Sequence, residues 1–166
     1  EVLERNQIKV SIAEQNCCGL PMQSNGDFKS ARAYALANIR KLAQWVRDGY
    51  AIVGTSTSCT LALKHEYHAV LGLTGEEAEL VANNTYDIFE FLEILEAESR
   101  LNTRLVRRSE KVVYHAPCQQ RTHAIGRPAA DFMRRIGFTV IESKSDCCGV
   151  AGTYGLKKEK YDIAAA

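Results

Sequence analysis

Lys111-Val-Val-Tyr-His-Ala-Pro-Cys118 (KVVYHAPC, residues 111–118) is a short β-favouring run that ends in a cysteine. Val112, Val113 and Tyr114 suit a strand, and Cys118 stands just past its C-terminal end. Downstream, Arg127 to Ile136 reads as a helix that Pro128 starts at its first turn. Gly137-Phe-Thr-Val-Ile141 is a further strand, and it leads into Ser145-Asp-Cys-Cys-Gly-Val-Ala-Gly-Thr-Tyr-Gly155. Upstream the same grammar occurs. Gln7 to Ile12 alternates polar and apolar like a strand and precedes Asn16-Cys-Cys-Gly-Leu-Pro21. Asp27 can cap a helix through Ala31, Ala35, Ile39, Leu42 and Val46, with Gly49 ending it. Tyr50 to Gly54 is a buried strand, and Thr55-Ser-Thr-Ser-Cys59 leaves its C-terminal end. A short helix is expected over Leu61 to Val70. A long amphipathic helix is expected over Glu76 to Arg100, with Asn83-Asn-Thr85 as a candidate break.

Strands alternating with helices predict an α/β fold with mainly parallel strands flanked by helices. Two pseudo-symmetric halves are expected, over 1–105 and 106–166. All six cysteines would then sit at the C-terminal strand edge, where open α/β sheets gather their ligand sites. The chain has 166 residues, 46% hydrophobic and 25% charged, with a formal net charge of +1. That balance suits a globular domain and gives no bulk attraction to nucleic acid. No apolar run is long enough for a membrane span. Glu1 to Arg5 has no signal-peptide pattern, so a cytoplasmic location is expected.

Cys17, Cys18, Cys59, Cys118, Cys147 and Cys148 carry the chemistry. In a reducing compartment, clustered cysteines point to metal or redox work rather than structural disulfides. Neighbouring residues diverge in a strand or a helix, so two adjacent ligands share one centre only in irregular backbone. Gly19, Gly149 and Gly152 supply that freedom and let backbone N–H groups approach a centre. Paired Cys-x-x-Cys knuckles of zinc ribbons and ferredoxin runs are both absent. All-sulfur ligation leaves iron–sulfur clusters and zinc open; buried, inert cysteines are the plainer alternative.

Cys147-Cys-Gly-Val-Ala-Gly-Thr-Tyr-Gly-Leu-Lys-Lys-Glu159, Tyr114-His-Ala-Pro-Cys118, Cys17-Cys-Gly-Leu-Pro-Met-Gln-Ser-Asn-Gly26 and Thr55-Ser-Thr-Ser-Cys-Thr-Leu-Ala-Leu63 together resemble the CCG, or cysteine-rich, domain of iron–sulfur oxidoreductases. The likeness is greatest to the branch that holds the C subunit of anaerobic glycerol-3-phosphate dehydrogenase. The B subunit of heterodisulfide reductase and the iron–sulfur subunits of glycolate and lactate oxidation are also related. The resemblance implies two ligand sets, Cys17, Cys18 and Cys59 in one half and Cys118, Cys147 and Cys148 in the other. It implies [4Fe–4S] clusters, of the noncubane type as in heterodisulfide reductase, with zinc as the alternative at one site. It also implies an electron-transfer subunit that takes electrons from a flavoprotein dehydrogenase and passes them toward quinone or a membrane subunit, at the inner face of the cell membrane. A heterodisulfide-reductase-like catalytic subunit and a zinc-binding assembly module are the rival readings. The chain departs from the family pattern in three places: no cysteine precedes Cys17, Ser56 replaces the first cysteine of a Cys-x-x-Cys, and none follows Cys148. The first and last are expected to reflect where the sequence is cut, and Ser56 to be a feature shared with the glycerol-3-phosphate dehydrogenase branch.

His115 and His123 flank Cys118 as ligands or proton donors, or as histidines with ordinary structural hydrogen bonds. His65 and His68 are expected at the surface. Lys157, Lys158 and Lys160 suit a solvated face, and Phe89, Leu92 and Leu95 suit core packing. Tyr154 lies inside the second cysteine loop.

Overall fold

The computed structural model describes residues 1–102, 109–144 and 147–165. The expected boundary between halves, at 105 and 106, and the Ser145-Asp146 start of the second cysteine loop lie outside the described residues. A one-turn helix, α1 (Val2–Arg5), opens the chain, and α2 (Leu20–Gln23) follows the first double cysteine directly. α3 (Phe28–Arg47) forms where its periodicity predicts. The Asp27 carboxylate accepts from the Ser30 backbone N–H at 3.0 Å, which satisfies one of the unpaired donors of the first turn. Ala31, Ala35, Ile39, Leu42 and Ala43 share one buried face of α3. Its alanines keep that face shallow, so neighbouring backbone can come close.

β1 (Ile52–Gly54) leads into α4 (Thr57–Leu61), a π-helical turn (Ala62–Glu66) and α5 (Tyr67–Ala69), which run on as one helix. α6 (Glu76–Asn83), β2 (Thr85–Asp87) and α7 (Ile88–Ala97) follow. β1 and β2 are parallel, with Val53 opposite Tyr86. Farther on, β3 (Lys111–Tyr114) is joined to β4 (Thr139–Glu142) through α8 (Cys118–His123) and α9 (Pro128–Arg135). This pair is also parallel, with Val113 opposite Ile141. Each strand pair is therefore closed by a helical crossover, the arrangement that parallel strands require. The α/β class is confirmed, as two two-stranded ladders among the described residues.

The helical stretch expected over 76–100 is interrupted at its candidate break, Asn83-Asn-Thr85, and the interruption holds a strand, β2, that the sequence reading did not expect. The helix stops at Asn83. The Thr85 hydroxyl then donates back to the Val81 carbonyl at 2.7 Å, and Thr85-Tyr86-Asp87 pairs with β1. Asp87 restarts the helix through a capping box: its carboxylate accepts from Phe89 N–H and Glu90 accepts from Asp87 N–H, both at 3.0 Å. The strand expected over Gln7–Ile12 is also corrected. It joins no ladder among the described residues, and Ile12 is 95% exposed. Alternation marks a strand only where one face is buried. Here the segment runs beside β1 across a cavity of about 640 Å³ lined by Ile8, Ser11, Tyr50 and Val53.

The core lies between α3, the helix over α4 and α5, and α6. α7 packs on α9, where the Phe89 and Phe132 rings meet at 5.9 Å and Arg135 reaches Glu96 at 3.0 Å. Leu92 and Leu95 are buried as expected, while His65 and His68 lie at the surface. α4 packs on α8, which brings the helix of Cys59 against the helix of Cys118.

Candidate metal centre

Cys18 and Cys59 come together at one place, with Cys17 adjacent to Cys18 in the chain. Cys17 and Cys18 lie on irregular backbone immediately before Gly19, as two adjacent ligands require. Gly19 has a φ of 91°, and a side-chain carbon there would stand 3.4 Å from the Ala31 backbone. Glycine therefore lets the chain turn at once onto the alanine face of α3. Cys59 is on the first turn of α4, because the helix expected from Leu61 already begins at Thr57.

The cysteine backbone is held by Asn38, a fully buried residue of α3. Its carbonyl accepts from Asn16 N–H at 2.8 Å. Its amide donates to Cys17 O at 3.1 Å, to Asn16 O at 3.3 Å and to the Tyr67 hydroxyl at 3.1 Å. Burial raises the Tyr67 phenol to about 12, and charge at Cys18, Cys17 and Cys59 adds to the rise. Tyr67 thus stands beside all three sulfurs. Neither residue was singled out from the sequence. A signal existed for Asn38, a polar residue amid the apolar stripe of α3; Tyr67 gave none.

The Cys18 and Cys59 side chains interact through a hydrogen bond. The hydrogen bond from Cys18, followed by hydroxyls from Ser56 and Ser58, pulls Cys59 well below an ordinary thiol, against the opposing effect of burial. The same bond, and then burial, push the Cys18 thiol up. Of the two, Cys59 gives up its proton more readily and Cys18 holds on to its own. Ser56, at the place of the absent family cysteine, supports the Cys59 sulfur instead of adding one. Leu20 N–H is directed at the Cys18 sulfur, a backbone donor of the kind that tunes metal-bound thiolates.

The second set is not gathered. Cys118 begins α8 and donates to Gln119 Oε1 at 3.1 Å. Cys147 and Cys148 are exposed, and Gly149 N–H points at the Cys147 sulfur at 3.3 Å, again from two residues on. Gly149 has a φ of 77°, and a side-chain carbon there would meet the Ala164 carbonyl at 2.2 Å, on the closing helix α10 (Tyr161–Ala165). The loop instead docks on the turn behind the first double cysteine. Asn25 Nδ2 donates to Thr153 Oγ1 at 2.6 Å and Thr153 N–H points to Ser24 Oγ at 3.4 Å. A side-chain carbon at Gly152 would stand 2.7 Å from Ser24 Oγ. Lys160 covers the Tyr154 ring at 5.3 Å. All six cysteines are free. Among the described residues no three His, Cys, Asp or Glu side chains are set to hold a metal ion. The donor chemistry of Cys17, Cys18 and Cys59 nonetheless suits a soft, sulfur-seeking metal: the Cys18 and Cys59 side chains interact, and the Cys59 thiol is shifted toward the thiolate form that such a metal takes.

His123 is buried, with Nε2 3.1 Å from both Thr60 Oγ1 and the Thr57 carbonyl. Of its expected roles, it takes that of a structural hydrogen-bonding histidine. Burial, then Lys64 and His65 charge, keep its pKa below the usual histidine value, against the rise from the Thr57 bond.

An α/β domain with two Cys-Cys-Gly loops, one of them meeting a further cysteine on the helix after β1, defines a class of thiol-rich metal-binding domains. The chain belongs to the cysteine-rich domain (CCG) family, whose sequence profile matches residues 1–64 and 112–166. It is 30% identical over 161 residues to the C subunit of anaerobic glycerol-3-phosphate dehydrogenase from Escherichia coli K12, covering 93% of this chain and 39% of that protein. It is 29% identical over 165 residues to lactate utilization protein A of Oceanobacillus iheyensis, covering 95% and 64%. The Bacillus licheniformis protein of the same name is 28% identical over 166 residues, covering 95% and 66%. The chain thus spans about two fifths of the length of the glycerol-3-phosphate dehydrogenase protein. No solved structure matches. Among the described residues, no helix is long and apolar enough to cross a membrane.

Proposed function

We propose that this domain is the cluster-holding part of an iron–sulfur electron-transfer subunit. The observation that carries the reading is the meeting of Cys18, on the loop before α2, with Cys59, on the first turn of α4, with Cys17 adjacent in the chain. Cys17, Cys18 and Cys59 would hold one [4Fe–4S] cluster, and Cys118, Cys147 and Cys148 would belong to a second set. Such a cluster supplies one-electron carriage at a potential set by its surroundings. Asn38 orients the cysteine backbone and Gly19 admits it to the helix face. The two halves, 1–105 and 106–166, would each contribute one set.

The relatives' names support an oxidoreductase setting. In it, a flavoprotein dehydrogenase subunit would deliver electrons that the domain passes toward quinone or a membrane subunit. The location would be cytoplasmic, peripheral at the inner membrane face. Anaerobic reconstitution of the full-length protein with iron and sulfide tests the reading. Bound iron with acid-labile sulfide and an EPR-active reduced state is expected. Stoichiometric zinc without labile sulfide, or no iron uptake, overturns it.

A further inference from the structure

We propose that His123 is a positioning residue: reaching from α8 into the first turn of α4, it sets the placement of Cys59 relative to Cys118. α8 begins with Cys118 and ends with His123. Gln120, in the middle, holds the helix to its own strand pair: it accepts from the Tyr114 hydroxyl at 2.5 Å and donates to Gly126 O at 3.2 Å. His123 then crosses to the other strand pair, with Nε2 3.1 Å from the Thr57 carbonyl and 3.1 Å from Thr60 Oγ1. A carbonyl only accepts, so Nε2 carries the hydrogen. The Thr60 hydroxyl donates to the Thr57 carbonyl at 3.0 Å or to the Ser56 carbonyl at 3.3 Å, which leaves its oxygen to accept from the imidazole.

Thr57 and Thr60 bracket Cys59. Thr60 is 1% exposed, and its methyl occupies the space where a side-chain carbon at Gly54 would lie, 2.3 Å away. The first turn of α4 is therefore gripped by β1 on one side and by His123 on the other. The Nε2–H of His123 is committed to this grip and does not face a sulfur among the described contacts. Its Nδ1 is buried without a partner among the described residues. The inference needs the Cys59 role proposed above for its redox consequence, but the grip itself is testable on thiols alone.

The test uses full-length, metal-free protein and the rate at which iodoacetamide alkylates Cys59, read by peptide mass spectrometry with Cys147 as internal reference. His123→Ala and Thr60→Val should each change the Cys59 rate by at least about threefold, as expected of residues in one hydrogen-bond network, and leave the Cys147 rate as it was. His123→Gln, whose amide N–H reaches to nearly the same place, should restore the rate to within about twofold. Iron-loaded variants add a second readout: the reduction potential shifts in His123→Ala and returns in His123→Gln. An unchanged Cys59 rate in Thr60→Val overturns the proposal, as does an equal change at Cys147 or failure of Gln to restore. If no variant, wild type included, binds iron, the functional reading falls while the alkylation result still decides this one.

Discussion

The Cys18 thiol donates a hydrogen bond to the sulfur of Cys59, joining the loop before α2 to the first turn of α4. Ser56 and Ser58 add to the lowering at Cys59, so of the two sulfurs Cys59 is the one more easily deprotonated. Metal binding at this pair would release protons, because thiolates rather than thiols are the ligands.

That pairing predicts a pH profile. In metal-free protein, Cys59 should alkylate with a midpoint well below the ordinary thiol value of 9.0, and Cys18 should stay unreactive until far above it. Cys18→Ala should move the Cys59 midpoint upward, because the largest cause of its depression is gone. Rates at each cysteine by peptide mass spectrometry between pH 5 and 10 provide the check. A Cys59 midpoint that Cys18→Ala leaves in place would disprove the pairing.

Asn38→Leu should destabilise the domain by about 1–3 kcal/mol, since it strands the buried Tyr67 hydroxyl and removes the bonds to the Asn16 amide and the Cys17 carbonyl. Urea unfolding measures this. The same variant should lose iron uptake at Cys17, Cys18 and Cys59 even under conditions where it is folded.

Gly19→Ala should cost about 1–2 kcal/mol through its positive φ, with contact against Ala31 adding to the strain. Gly152→Ala meets Ser24 instead, so it should release the second cysteine loop with a smaller effect on global stability. Hydrogen exchange localised to residues 147–156 distinguishes the two: faster exchange there in Gly152→Ala, with α3 unaffected.

His123 predicts an acid-side loss. Its folded pKa lies below the ordinary 6.5, so the unfolded chain takes up the proton first as pH falls. The contribution to stability is complete above 6.5, declines as pH drops from there to the folded pKa, and is flat below. Comparing wild type with His123→Gln isolates it from other groups: the difference in Tm between the two should shrink from pH 7.5 to pH 5. A constant difference across that range refutes the assignment.

The α/β class was legible because it rests on local pattern, and the cysteines could be named as candidates because their Cys-Cys-Gly strings are local too. Val112-Val-Tyr114 and Thr139-Val-Ile141 favour strands by residue type, and Asp27 announces α3 by its capping chemistry. β2 was hidden because Thr85-Tyr86-Asp87 is three residues between two amphipathic helices, too short for a period to show. Gln7–Ile12 misled for the opposite reason: its alternation is present, but no neighbour covers its apolar side. The unequal gathering of the two sulfur sets was also not legible. It depends on Asn38 and Tyr67 at one set, long-range partners that no spacing rule connects to a cysteine.

Asn38 belongs to a helix that contains no cysteine, yet it fastens the residues on which the sulfurs depend. Grafting Asn16 to Pro21 alone into another scaffold would therefore carry over the ligands and leave their clasp behind. The smallest portable unit is that loop together with the Asn38 turn of α3 and the Tyr67 hydroxyl, three pieces distant in the chain that must be transplanted as one.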